Sequence, residues 1–183
     1  MLSAGQLLAC DFPPKSFLNT PRREFRGPYI NRTFGYSVVI PKTLGGYDGS
    51  DPATAQHGFG ILVGDPPQGY LVINGEANSL DETAPVDAAL RALQYLRSEG
   101  KQIESTSIKA AKLGSLQGVQ LVVTYSCHGS GNRYVQAATF ALSPKKDTLF
   151  EVTLYDAEDQ YSRDRSTLES ILRSWRYVGR PSA

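Results

Sequence analysis

The residues best suited to chemistry are the adjacent Cys127 and His128. A cysteine nucleophile requires a base within hydrogen-bond reach, and histidine is a common one. Neighbouring residues on a strand point to opposite faces of the sheet, so these two side chains should diverge. Cys127 would then share a face with Val123 and Tyr125, which indicates a buried structural thiol. A small hydrolase that uses Cys127 with His57 or His128 is therefore kept only as an alternative.

His57 is the second residue with chemical potential, and two glycines follow it closely. With Glu76, Asp81 and His128 it offers side chains for a metal or acid–base site. Their spacing matches neither His-Glu-x-x-His nor paired Cys-x-x-Cys zinc patterns. The sequence therefore favours a loop histidine at the entrance of a strand, and it predicts neither a metal site nor a cofactor.

Three carboxylates, Asp81, Glu82 and Asp87, lie around the start of a predicted helix. Paired carboxylates at a defined separation perform acid–base catalysis on glycosides. Negative charges in the first helical turn also interact favourably with the helix dipole. The second interpretation is preferred, so the sequence assigns no catalytic residue and indicates a protein that is not an enzyme.

Cys10 follows Leu7-Leu8-Ala9, and this run resembles a bacterial lipobox. It lacks a positively charged segment upstream, and Gln6 interrupts its short apolar stretch. Lipidation at Cys10 and a disulfide between Cys10 and Cys127 are both open, and they exclude each other because one sulfur cannot carry both bonds. The disulfide would require an oxidising compartment. Two unbonded thiols are the third alternative.

Composition sets the boundaries of function. The chain has 183 residues, enough for one domain with its own core, and a net charge of +1. That balance argues against general nucleic-acid binding, which relies on a clustered basic surface. The one basic cluster, Arg22, Arg23 and Arg26, is interpreted as a solvated linker. No apolar run approaches the length of a transmembrane helix.

The elements that position these residues follow from the hydrophobic pattern. Four prolines between residues 11 and 28 indicate an extended tether. Residues 1–28 are therefore predicted as a tether, and the remnant of a lipoprotein signal is one interpretation of it. The domain is predicted over residues 29–178, followed by a tail at 179–183. Residues 34–40 alternate as a strand that ends at a proline. Residues 42–57 are predicted as a long surface loop, and 59–77 as a hairpin.

Two helices and a run of strands complete the pattern. Pro85 suits a first helical turn with Thr83 as its cap, and Gly100 is placed to end that helix. Strands follow as far as residue 154, and a C-terminal helix places Leu168, Ile171, Leu172 and Trp175 on one face. The sequence therefore predicts an α+β domain with an antiparallel sheet of about six or seven strands, one inserted helix and one C-terminal helix.

Three segments mark this order of elements: Phe34-Gly-Tyr-Ser-Val-Val-Ile-Pro41, the turn Leu113-Gly-Ser-Leu-Gln-Gly118 before a strand with Tyr125, and the closing Leu168-Glu-Ser-Ile-Leu-Arg-Ser-Trp175. With these segments the chain resembles the PsbP-like fold family. The family includes the photosystem II extrinsic protein, the yeast Ran-release factor and small bacterial exported lipoproteins. The resemblance implies a binding or assembly factor and transfers no functional residue to this chain.

The resulting hypothesis is a non-enzymatic binding or assembly protein of the bacterial cell envelope, periplasmic or lipid-anchored. Its partner would be another protein, met by the sheet face or by the loop 42–57. Candidate binding residues are Tyr47, Asp48, His57 and Tyr70, because the loop and the turn before Tyr70 are expected to form one rim. A small-ligand carrier, with a pocket between the sheet and the helix at residues 86–96, is the other alternative to the hydrolase.

Overall fold

The computed structural model of the chain describes residues 24–48, 57–64, 67–127 and 131–179. Within these residues the chain forms eleven strands and two helices. The strands are β1 Glu24–Phe25, β2 Pro28–Asn31, β3 Tyr36–Val39, β4 Gly46–Asp48, β5 Gly58–Gly64, β6 Pro67–Ala77, β7 Gln102–Leu113, β8 Leu116–Ser126, β9 Arg133–Leu142, β10 Thr148–Ala157 and β11 Arg176–Tyr177. The helices are α1 Pro85–Ser98 and α2 Glu158–Ser174.

Eight of the strands form one antiparallel sheet in the order β1-β4-β5-β6-β10-β9-β8-β7. Side chains alternate between the two faces, so each long strand contributes to two different cores. In β10, Phe150 and Val152 point towards α2, whereas Leu149 points towards α1. The sheet therefore forms the middle layer, with one helix on each face.

The face beneath α2 carries an aromatic core centred on Trp175. This side chain follows α2 directly, is fully buried, and stacks on Tyr36 with ring centroids 5.8 Å apart. Phe150 meets the indole edge-on at 5.1 Å. Tyr36 belongs to a separate three-stranded sheet, in the order β11-β3-β2, which closes this layer. The large sheet, the small sheet and α2 thus share one core.

The opposite face is only partly covered, because α1 packs over β7, β8 and β9. Its buried residues are Ala88, Ala89, Leu93 and Leu96. These side chains recur at helical spacing and lie over the apolar residues of β8 and β9. The position of α1 at one end of the sheet leaves space beside it, above β10 and β6.

The ends of α1 depend on Asp87 and Gly100. The Asp87 Oδ2 atom accepts the backbone N–H groups of Ala84 and Thr83, each at 3.0 Å, and these bonds lower the pKa of Asp87. Asp87 therefore accepts the backbone N–H groups that precede the first turn of α1. The prediction that Thr83 caps this helix was wrong, because the N-cap residue is Ala84. Gly100 has a φ of +74°, and Lys101 N–H donates to Leu96 O at 3.1 Å, as expected for a helix that ends at a glycine.

The predicted fold class is confirmed: the chain is α+β, with one helix inserted after the N-terminal strands and one at the C-terminal end. The sheet gains strands because residues 46–48, expected within a loop, pair with β5, and β1 pairs with them. This pairing uses backbone groups, and no apolar alternation signals it. Residues 1–23 and 180–183 lie outside the described residues, so the tether, the boundary near residue 29 and the tail stay predictions.

Candidate functional site

A pocket of about 320 Å³ lies beside α1, between the helix and the sheet. We call it the helix pocket. The described residues that line it are Glu76, Ala88, Arg91, Ala92, Tyr95, Leu96, Gln136, Phe140, Leu149, Glu151 and Tyr155. Helix residues form its roof and strand residues form its floor, so the fold builds the pocket from rigid elements.

Polar side chains from β6, β10 and β9 lie at both ends of the floor. Tyr155 pairs with Gln136, and Leu149 pairs with Glu76. Glu151 lies two residues after Leu149 and is thus a diagonal neighbour of Glu76 on the same face. Such positions are separated by roughly 7–8 Å. Two carboxylates therefore meet in one partly buried pocket.

Burial and Glu76 set the electrostatics of Glu151. Burial raises the pKa of Glu151, and the charge of Glu76 raises it further. The Thr153 hydroxyl, which donates to Glu151 Oε1 at 2.5 Å, and the nearby Arg91 oppose this shift. The charged form of Glu151 is therefore costly unless a positive group comes close to it.

Arg91 is the one cation among the residues that line the helix pocket, and its partner lies elsewhere. Its Nε and Nη2 atoms contact Glu82 Oε1 at 2.8 and 2.6 Å. Glu82 is buried, with 7% of its surface exposed, whereas the Arg91 side chain is 44% exposed, so only the carboxylate of this ion pair is shielded from water. Neither Glu76 nor Glu151 forms an ion pair with any residue that the structure describes.

Gln136 completes the floor. Only 4% of its surface is exposed, and its side-chain amide forms no hydrogen bond with the described residues. Asn74 pairs with Glu151 in register, and its buried Oδ1 atom has no hydrogen-bond partner among the described residues. Buried amides are normally paired, so unpaired ones beside a pocket mark groups that a ligand can satisfy.

Of the residues considered for a hydrolase, the structure describes Cys127 and His57. Cys127 is buried with Tyr125 and Val123, as its strand pattern predicts, and Lys101 Nζ lies 3.8 Å from its sulfur. The described part of the chain holds no free thiol. Cys10 and His128 lie outside the described residues, so the lipidation of Cys10 and its disulfide with Cys127 stay predictions.

His57 acts through its backbone. Its carbonyl accepts the Tyr36 hydroxyl at 2.8 Å and the Asn31 amide at 3.1 Å, while its ring packs edge-on against Phe34 at 5.1 Å. Within the described ranges no group of three or more His, Cys, Asp or Glu is arranged to hold a metal ion. His57 thus joins the strand entrance to the small sheet.

The four predicted binding residues do not form one described cluster. Tyr70 is buried and stacks on Tyr155 at 4.8 Å, which places it next to the helix pocket. Tyr47 pairs with Gly60 and lies on the same face of the sheet as Tyr70. Asp48 pairs with Phe59, and the side chain of Asp48 lies outside the described residues. The binding roles of Tyr47, Asp48, His57 and Tyr70 stay predictions.

A second candidate surface is the part of the sheet that α2 does not reach. Helix α2 packs mainly on β10, β3, β5, β9 and β6. On this face of β7 and β8, Val122 packs against the core beneath α2, while the polar side chains stay exposed or half-buried. We call this surface the outer face. Its residues are Ser105, Ser107, Lys109, Gln120, Thr124 and Ser126, which the register of β7 and β8 places on one side.

Sequence reasoning found Glu76 only as a metal candidate and missed Gln136, Glu151 and Tyr155 as pocket residues. A signal was present in β10, since Glu151 interrupts a strand whose neighbours are almost all buried. A carboxylate in such a strand needs a partner or a cavity. The register that brings Glu76 beside Glu151, and Gln136 into the same pocket, required the structure.

No protein-family model matches the sequence, and no curated protein matches it either. Solved structures do resemble it. The cyanobacterial PsbP protein CyanoP from Synechocystis sp. PCC 6803 is 14% identical with a TM-score of 0.57, over 87% of this chain and 95% of that one. The Ran-binding protein Mog1p of Saccharomyces cerevisiae is 10% identical with a TM-score of 0.52, over 87% and 97%.

LpqN of Mycobacterium tuberculosis, a protein involved in cell envelope biogenesis, is 14% identical with a TM-score of 0.52, over 89% of this chain and 95% of that one. The chain also covers half of a Bacteroides thetaiotaomicron protein of known structure, at 12% identity and a TM-score of 0.54. These likenesses confirm the PsbP-like fold. None of the described helices is long and apolar enough to cross a membrane.

Proposed function

We propose that this chain is a non-enzymatic binding or assembly protein of the bacterial cell envelope, and that its partner is another protein. The observation that carries this proposal is the outer face, a sheet surface that neither helix of the described chain covers. Two similar structures support the class, since one binds Ran and another takes part in cell envelope biogenesis. The described residues also hold no paired cysteine and histidine for a hydrolase.

The chemistry of the outer face suits a protein surface. Ser107, Gln120 and Thr124 are partly buried and uncharged, so covering them displaces water at a modest cost. Strand β7 lies at the edge of the described sheet, but it is bulged between Ile103 and Ser105 and carries Lys109. Bulges and lysines disfavour pairing between sheet edges. We therefore place the partner on the face of the sheet and not along its edge.

Arginine at Ser107 should block this face, because the new side chain would stand where the partner packs. Thr106→Arg is the matched control: it is the next residue of the same strand, is exposed, and points to the other face. We expect Ser107→Arg to reduce the amount of a specific envelope protein recovered with the chain at least tenfold, with Thr106→Arg and both melting temperatures unchanged. Equal recovery by the two variants would contradict the assignment.

A small-ligand carrier is the second candidate, and the helix pocket favours it. The pocket combines apolar walls with a few convergent polar groups, as ligand sites do. Native mass spectra of protein purified from its host should then show bound material of low mass. Replacement of Ala92, which lines the pocket, with phenylalanine should remove that material, whereas chain that carries none from its host would contradict the carrier.

A further inference from the structure

We propose that the helix pocket binds a small organic ammonium ion with an apolar tail. The inference rests on the second candidate function, a ligand site between α1 and the sheet, and names the chemical class of that ligand. It follows from the two carboxylates of the floor and from the apolar and aromatic walls.

The first argument is charge. Glu76 and Glu151 share the floor, and neither forms an ion pair with the described residues. The guanidinium of Arg91 already contacts Glu82 through two nitrogen atoms. An ammonium ion between the two carboxylates would supply the missing positive charge, whereas an anion would meet two like charges.

The second argument is the shape of the binding groups. An ammonium has hydrogen-bond donors and no acceptor, so it requires several oxygen atoms converging on one point. Glu151 Oε1 already accepts the Thr153 hydroxyl, which fixes the orientation of its carboxylate. The floor therefore offers the oxygen atoms of two neighbouring carboxylates to the same donor.

The third argument is the wall around this polar floor. Ala88, Ala92, Leu96, Phe140 and Leu149 line the same pocket and offer no hydrogen bonds from their side chains. Tyr95 and Tyr155 add aromatic rings, and a cation near the face of such a ring is attracted to it. An alkyl or aryl tail matches these walls, while its ammonium group matches the floor.

The test is a titration of the ¹⁵N-labelled chain, followed by NMR, with hexylammonium chloride as the probe. Hexan-1-ol and sodium hexanoate are the matched probes, because they keep the tail and replace the cation with a neutral or negative group. We expect hexylammonium to shift the amide signals of Ala92, Gln136 and Glu151 in a saturable way. The two other probes should bind at least tenfold more weakly.

Variants connect the binding to the proposed groups. Glu76→Gln combined with Glu151→Gln keeps the size of both side chains and should weaken hexylammonium binding at least tenfold. Glu99→Gln removes one exposed charge near the end of α1, outside the pocket lining, and should leave the affinity unchanged. Ala92→Phe should abolish binding because it fills the pocket. Melting temperatures of all variants establish that they are folded.

Two results would overturn the proposal in distinguishable ways. Hexan-1-ol or hexanoate that binds the pocket as tightly as hexylammonium, or a double glutamine variant of full affinity, would refute the ammonium class and leave the pocket as a ligand site. If none of the three probes shifts the pocket signals, both the ammonium class and the carrier function fail. The protein partner proposed for the outer face is independent of both.

Discussion

The wild-type protein is expected to lose stability as the pH rises from about 4 to 8, and replacement of Asp156 with asparagine should remove most of that loss. Asp156 is fully buried, and neither carboxylate oxygen has a hydrogen-bond partner among the described residues. Burial raises the pKa of Asp156 to about 7, and the charge of Asp164 adds to the shift. The nearby backbone N–H of Ala157 lowers the pKa of Asp156, but its contact with the carboxylate falls short of a hydrogen bond.

The sign follows from proton binding. The folded state keeps the Asp156 proton up to about pH 7, whereas the unfolded chain releases it near pH 4. The stabilisation is therefore complete below about pH 4 and is lost as the pH rises through 7. Each pKa unit corresponds to about 1.4 kcal/mol, and relaxation around the charge reduces the total, so we expect a loss of roughly 2–4 kcal/mol.

Urea denaturation of the wild type and Asp156→Asn at several pH values measures this effect. The difference between the two proteins cancels the titration of other groups. The control is Asp81→Asn, because Asp81 is exposed and is not among the charges that shift the pKa of Asp156. Asp156→Asn should gain stability relative to the wild type with rising pH, and Asp81→Asn should not. A difference that stays constant between pH 4 and pH 8 would refute the assignment.

Replacement of Trp175 with alanine should have the largest effect on stability, because it empties the centre of the core beneath α2. The indole contacts Tyr36 and Phe150, and no part of it is exposed. Substitutions of this kind cost about 3–5 kcal/mol. The indole Nε1 atom is buried without a hydrogen-bond partner in the described chain, so Trp175→Phe loses volume but also removes an unpaired donor.

We therefore expect Trp175→Phe to lose less than half of the stability that Trp175→Ala loses. Circular dichroism during urea denaturation is the measurement, since both variants lack the single tryptophan of the chain. Val178→Ala, in a side chain that is 55% exposed and close to Trp175, is the control and should change stability by no more than about 0.5 kcal/mol. Equal losses for phenylalanine and alanine would show that the indole N–H is hydrogen-bonded in solution.

The elements with a strong periodic pattern could be predicted from the sequence. The apolar residues of α1 and α2 recur at helical spacing, and those of β8 and β10 alternate, so their types and buried faces follow from local rules. Strand β4 could not be predicted, because Gly46-Tyr47-Asp48 has no alternating apolar pattern and pairs through its backbone. The cap of α1 was also assigned to the wrong residue, since Thr83 and Asp87 both fit the start of a helix.

The helix pocket could be predicted only in outline. One helix that lies over a wider sheet leaves a space beside it. The hypothesis of a small-ligand carrier depended on that space. Which side chains line the space depends on the register of β6, β10 and β9, and the pairing of β6 with β10 joins residues about 70–85 positions apart along the chain. Glu76 and Glu151 therefore appear as neighbours only in the folded protein.

Site-specific photo-crosslinking in the native host tests the central claim, binding of another protein at the outer face, most directly. A photoreactive phenylalanine derivative at Lys109 would stand on that face, and the same residue at Arg165 would stand on the exposed side of α2. We predict one discrete protein adduct from position 109 and none from position 165. No adduct from position 109, or the same adduct from both positions, would contradict the proposed function.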